Sequence, residues 1–160
     1  MNIDPLLDTA LRLCAATLAG GVIGLNREIK HKAAGLRTHA VVALGAALAT
    51  SIFIWPAAGA AVAHVDAMSR IIQGIITGIG FIGAGVILRR PDGHAVHGLT
   101  TAASIWLAAC LGCALGAGAW VPAIAALALV LLILIFGGPL EHWASRKFEP
   151  PPAPGDDTKQ

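Results

Sequence analysis

Apolar residues in this chain come in long runs separated by short polar stretches. Leu6–Leu25 is almost continuously apolar or small, with Asp8 and Arg12 near its start. A second run begins near Ala40 and reaches Trp55, where Pro56 ends or kinks it. A third covers Ile71–Leu88, and an uncharged stretch then extends from Leu99 to Leu140. As one helix that last stretch would reach roughly 63 Å, twice the ~30 Å apolar core of a bilayer. It must fold back once. The Gly-Ala-Gly-Ala-Trp-Val-Pro segment at 116–122 supplies the turn, with Pro122 suited to a first helical turn. The pattern predicts an all-α, polytopic membrane helix bundle of about five transmembrane helices.

Composition agrees. Of the 160 residues 56% are apolar and 12% are charged, against roughly 25% charged in an average globular chain. So few charges cannot cover a soluble surface. Disordered, collagen-like and nucleic-acid-binding classes are excluded, and an ordinary soluble enzyme is disfavoured. The basic residues are placed asymmetrically. With five spans, Arg27, Lys30, Lys32, Arg37, Arg89, Arg90, Arg146, Lys147 and Lys159 share one side, and Arg70 stands alone on the other. The positive-inside rule then puts the N-terminus outside and the C-terminus in the cytoplasm. Trp55, Trp120 and Trp143 fall near expected helix ends, where indoles prefer to sit, whereas Trp106 is expected to pack inside the bundle. The start lacks a basic n-region and a cleavage pattern, so the first span is expected to be retained. Residues 1–140 read as the transmembrane domain. Residues 141–160 read as a cytoplasmic tail, Pro-rich and expected to be disordered from about 149.

The chemistry-bearing residues are few. Gly78-Ile-Gly80-Phe-Ile-Gly83 matches the dinucleotide fingerprint, but it lies inside a charge-free span with no strand before it, so that reading is rejected. Close helix packing suits these glycines better, together with Gly74, Gly85 and Gly98. Gly20-x-x-x-Gly24, Gly74-x-x-x-Gly78 and Gly112-x-x-x-Gly116 all have small-x-x-x-small spacing. A helix broken at the dense 78–85 glycines, lining a substrate site, is the alternative. Asp8 and Arg12 are placed to pair on one helix face, and Asp66 and Arg70 repeat the spacing. Asp66 is also a candidate cap for the third helix, and Asn26 for the end of the first. Gln73 needs an interhelical partner or water. Thr100 and Thr101 are candidate caps of the fourth helix. The basic loop from Asn26 to His39 suits anionic headgroups or a cytoplasmic partner. His94 and His97 lack a third ligand, so no metal site is expected. Cys14, Cys110 and Cys113 read as packing residues. Neither a nucleophile–base pair nor a P-loop is present, and no catalysis or cofactor is expected.

Several of these segments occur together in one order. Gly-Val-Ile-Gly-Leu-Asn-Arg-Glu at 21–28 leads to Ala34-Gly35-Leu36-Arg37-Thr38-His39. Asp66-x-x-x-Arg70-Ile precedes Gly78-Ile-Gly-Phe-Ile-Gly-Ala-Gly-Val-Ile87, and Gly98-Leu-Thr-Thr-Ala-Ala-Ser-Ile-Trp106 follows. From about Leu6 to Phe136 the chain resembles the MgtC/SapB family of bacterial inner-membrane proteins. The resemblance implies a four- or five-span protein of the inner membrane, linked to growth under magnesium limitation and, in pathogens, to survival inside macrophages. It also implies a regulator that restrains the membrane sector of the proton-translocating ATP synthase. The chain resembles the short, SapB-like form, without the soluble C-terminal domain of the MgtC branch. Asn26 stands where the family motif carries Glu. The motif positions retained are Arg27, Arg37, Thr38, Asp66, Arg70, Gln73, Gly78, Gly83, Gly85, Gly98, Thr100 and Trp106.

Three functional readings follow. One is a non-enzymatic membrane regulator acting through glycine-rich helix faces. The other is a small oligomeric magnesium transporter or channel in which Asp8, Asp66 and Gln73 meet the ion. A lipid-organising protein is a third, with less support in the sequence.

Overall fold

The computed structural model describes residues 4–53, 61–89 and 96–148. Among the described residues five helices form: α1 (Pro5–Ile29), α2 (Leu36–Ser51), α3 (Ala61–Val86), α4 (Leu99–Gly116) and α5 (Trp120–Phe148). A two-residue antiparallel ladder, β1 (Leu88–Arg89) with β2 (Val96–His97), bridges α3 and α4. The expected all-helical membrane bundle is what the chain builds. Four of the helices, all but α2, are long and apolar enough to cross a membrane. The 16 residues of α2 reach about 24 Å, short of the ~30 Å core. Trp55 and Pro56, expected at its end, lie outside the described residues, as do His94 and the tail from 149.

Local chemistry explains most helix ends. Asp4 caps α1, accepting from the Leu6 amide at 2.9 Å, and Pro5 opens the helix. The end of α1 closes with His31 in the left-handed region (φ 51) and Lys32 N donating to the Arg27 carbonyl at 3.0 Å. α2 has no cap of its own. Glu28, on α1, supplies one by accepting from Leu36 N at 2.9 Å. The fold-back between α4 and α5 lies where the glycines are, with Gly118 at φ +77 and Pro122 in the first turn of α5. Gly98, at φ +93, packs so tightly on the Val86 carbonyl that no side chain fits.

Several helix starts and ends differ from the sequence expectation. α2 begins at Leu36, before Ala40, and α3 begins at Ala61, well before Ile71. Asp66 therefore lies within α3 and does not cap it. Asn26 likewise lies inside α1, its Oδ1 buried without a partner. The N-cap of α4 is Gly98, and neither Thr100 nor Thr101 caps it, because both already sit in its first turn.

The core is α1, α2 and α4, with α2 held between the other two. Gly20 and Gly24 of α1 rest on the backbone of Gly35, Leu36 and His39 and on the Cβ of Ala43, at the start and middle of α2. Gly112 and Gly116 of α4 rest on Ala43 and Ala47 from the other flank. Lipid gives little hydrophobic drive between helices, so close backbone contact at small residues contributes much of the packing. Around this layer Ile23, Ile105 and Leu111 are fully buried. α3 adheres through Ile72, Ile75, Ile79 and Val86, beside Ile105, Ala109 and Cys113. α5 covers Ala16, Leu111 and Leu115 with Ala123, Val130 and Leu134.

Candidate functional site

The chain's two ends carry different polar arrangements. At the end holding both termini of the fold-back, Arg12 Nη2 pairs with Asp8 Oδ2 at 2.7 Å, as the spacing predicts. Arg12 Nη1 also donates to the Gly116 carbonyl at 3.1 Å. The guanidinium thus closes the C-terminal turn of α4, where the helix dipole favours a cation.

The opposite end, where α1 finishes and α4 starts, is basic. Arg27 is only 4% exposed, and its Nη2 donates to Thr101 Oγ1 at 2.8 Å. Its Nε is buried with no partner. Next to it His39, fully buried, spans α2 and α4. The Gly35 carbonyl, 2.9 Å from Nδ1, can only accept, so Nδ1 donates to it. In a neutral ring Nε2 then accepts from the Ser104 hydroxyl, 2.9 Å away. Ser104 Oγ also lies 2.8 Å from the Thr101 carbonyl. One hydroxyl proton serves only one of these acceptors at a time, so the state of His39 and the orientation of Ser104 are coupled. The chain Arg27–Thr101–Ser104–His39–Gly35 ties three helices together where α1, α2 and α4 meet.

Lys30 reaches across to α5 and donates to the Leu134 carbonyl. Between these groups lies a cavity of about 550 Å³, lined by Arg27, Lys30, Lys32, Thr100 and Thr101 and walled by α5 near Leu134 and Gly137. A second, more open hollow of about 560 Å³ holds Arg37 and Thr38 beside Glu28 and His31.

Of the sequence-derived candidates, Arg27 and Thr100 meet at this cavity, while Arg37 and Thr38 line its neighbour. Asp66, Arg70 and Gln73 lie elsewhere, exposed along α3. No salt bridge joins Asp66 to Arg70, and Gln73 Nε2 donates only to Ser69 Oγ, at 3.4 Å. Trp106 does not pack inside the bundle. It is 46% exposed, because α4 buries its opposite side against α1 and α2. Among the glycines of 74–85, Gly83 approaches Ala102, with open space around Gly74, Gly78, Gly80 and Gly85. Sequence reasoning missed His39, Ser104 and the structural role of Thr101. The four-residue step from Gly35 to His39 was the only local signal, since Ser104 is distant in sequence.

The cluster occupies the Asn26–His39 and Gly98–Trp106 segments, and these fall inside a stretch, residues 13–143, that matches the MgtC family. The chain belongs to the MgtC family. Protein SapB of Bacillus subtilis is 43% identical over 155 residues, covering 92% of this chain and 62% of that protein. Protein SrpB of Synechococcus elongatus is 43% identical over 120 residues, covering 71% of this chain and 66% of that one. A protein of Escherichia coli named putative magnesium transporter YhiD is 40% identical over 126 residues, 78% of this chain and 58% of its own length. This MgtC-family chain thus spans less than two thirds of each of these relatives. No solved structure matches it.

Proposed function

We propose that this MgtC-family chain is a non-enzymatic protein of the bacterial inner membrane that serves adaptation to magnesium limitation by regulating another membrane protein through helix contacts. Residues 1–140 form its membrane domain, N-terminus outside, and 141–160 its cytoplasmic tail.

The outward face of α3 is the observation that carries this reading. Asp66, Arg70, Gln73, Thr77, Gly80 and Ala84 fall on one side of the helix at 3.6-residue periodicity, and all six are exposed. The side that meets the bundle is instead apolar, with Ile72, Ile75 and Ile79. Only 11% of the apolar window of α3 is buried, against 56% for α4. A polar and small stripe turned toward lipid is costly, and a partner helix would cover it. The glycines flanking it permit close approach. The family resemblance directs the search for that partner to the membrane sector of the ATP synthase.

The same stripe supports a second reading. Asp66 and Gln73 could face an ion path in a homo-oligomer, since magnesium favours oxygen ligands and retains water. The name of the Escherichia coli relative agrees with it.

One experiment separates the two. Tagged chain is recovered from magnesium-starved membranes as wild type, Gly80→Leu and Gly45→Leu, the last on α2 in open space. Partners lost with Gly80→Leu and kept with Gly45→Leu support the regulator. Retention of every partner by Gly80→Leu overturns it. Magnesium entry into proteoliposomes that disappears with Asp66→Asn establishes the transporter.

A further inference from the structure

The cavity at the basic end is electrostatically unbalanced. Arg27, Lys30, Lys32 and His97 line it, and among its described lining residues none is acidic. Glu28, the nearest acid in sequence to Arg27, is occupied in capping α2.

Two independent features point to an anion there. α4, 18 residues long, starts at this cavity with no side-chain cap. The first-turn amides of Leu99, Thr100 and Thr101 have no intrahelical acceptors, and they carry the positive end of the helix dipole. Arg27 lines the same cavity, 4% exposed, with Nη2 on Thr101 and a buried Nε that has no partner. A buried guanidinium with an unused N–H and no carboxylate carries a large desolvation cost. An oxyanion in the cavity would meet the charge of the guanidinium and the open helix start together.

We propose that this cavity binds a phosphate-type anion, held by Arg27 and the open first turn of α4, with Lys32 at the rim. Lys30, already bonded to the Leu134 carbonyl, adds charge. The phosphate belongs either to an anionic phospholipid headgroup or to a soluble phosphate, which present the same tetrahedral oxyanion. The site is independent of the α3 face.

The full chain, purified in neutral detergent, is tested by thermal unfolding followed through tryptophan emission. Inorganic phosphate is titrated against sodium chloride at equal ionic strength. Phosphatidylglycerol is titrated separately against phosphatidylcholine in mixed micelles. A saturable rise in the midpoint is expected. Response to inorganic phosphate identifies a soluble ligand, and response to phosphatidylglycerol alone identifies a headgroup. Lys32→Glu places a carboxylate at the exposed rim and should weaken the response at least about tenfold. Arg37→Glu makes the same charge change outside the cavity and should leave it intact. No rise above chloride with either probe overturns the proposal, and so does a response that both variants share equally.

Discussion

Gly112 of α4 lies against the carbonyl of Ala43 on α2 so closely that a side chain there would overlap the Ala43 oxygen. On the other flank of α2, a Cβ added to Gly20 would come within 2.7 Å of Ala43 Cβ. Ala43 is therefore gripped from both sides, and α2 cannot move away from one glycine without striking the other. Gly112→Ala is expected to destabilise the chain by about 1–3 kcal/mol, the usual cost of overpacking a tight contact. Gly45→Ala, on the same helix pair but with nothing within 4 Å, should be neutral or slightly stabilising through helix propensity. Thermal unfolding in detergent compares them, and equal midpoints would refute the double grip.

This grip also marks how far the sequence could be read. Three small-x-x-x-small motifs stood on equal terms, at Gly20, Gly74 and Gly112. The first and last meet α2, whereas Gly74 and Gly78 face open space. In a membrane protein both sides of a helix are apolar, so the pattern that locates a helix does not say which side meets a neighbour. The apolar runs located all five helices and the turn before Trp120. The sequence pattern sets two helix starts late, because Arg37, Thr38 and His39 look like loop, as do Asp66, Ser69 and Arg70. In the structure the first group opens α2 and the second lies within α3. The Arg27 site was half legible. The family motif points to Arg27 and Thr100, but His39 and Ser104 are separated by 65 positions and only the fold unites them.

Arg12 serves two acceptors, Asp8 and the Gly116 carbonyl, and this predicts unequal effects of removing each partner. Asp8→Asn loses a pair whose acid is 35% exposed and should cost under about 1 kcal/mol. Arg12→Gln loses the ion pair and the closure of α4 together, and should cost about 1–3 kcal/mol. High salt should narrow the gap between wild type and Asp8→Asn more than that between wild type and Arg12→Gln. Unfolding midpoints at two ionic strengths test this. Equal losses in the two variants would mean that Arg12 contributes nothing through Gly116.

His39 and Ser104 offer the strictest test of the polar knot. Both are buried, His39 completely and Ser104 at 3% exposed, and they meet at 2.9 Å. Ser104→Ala strands Nε2 of His39 away from water and should cost about 1–3 kcal/mol. His39→Leu removes the ring and strands the Gly35 carbonyl beyond its remaining backbone bond, with a loss of similar size. In the double variant Ser104→Ala no longer strands the imidazole. The combined loss should therefore fall short of the sum of the single losses by at least about 1 kcal/mol. A double-mutant cycle on unfolding free energy measures that difference directly. Strict additivity would show that the two side chains do not share a hydrogen bond.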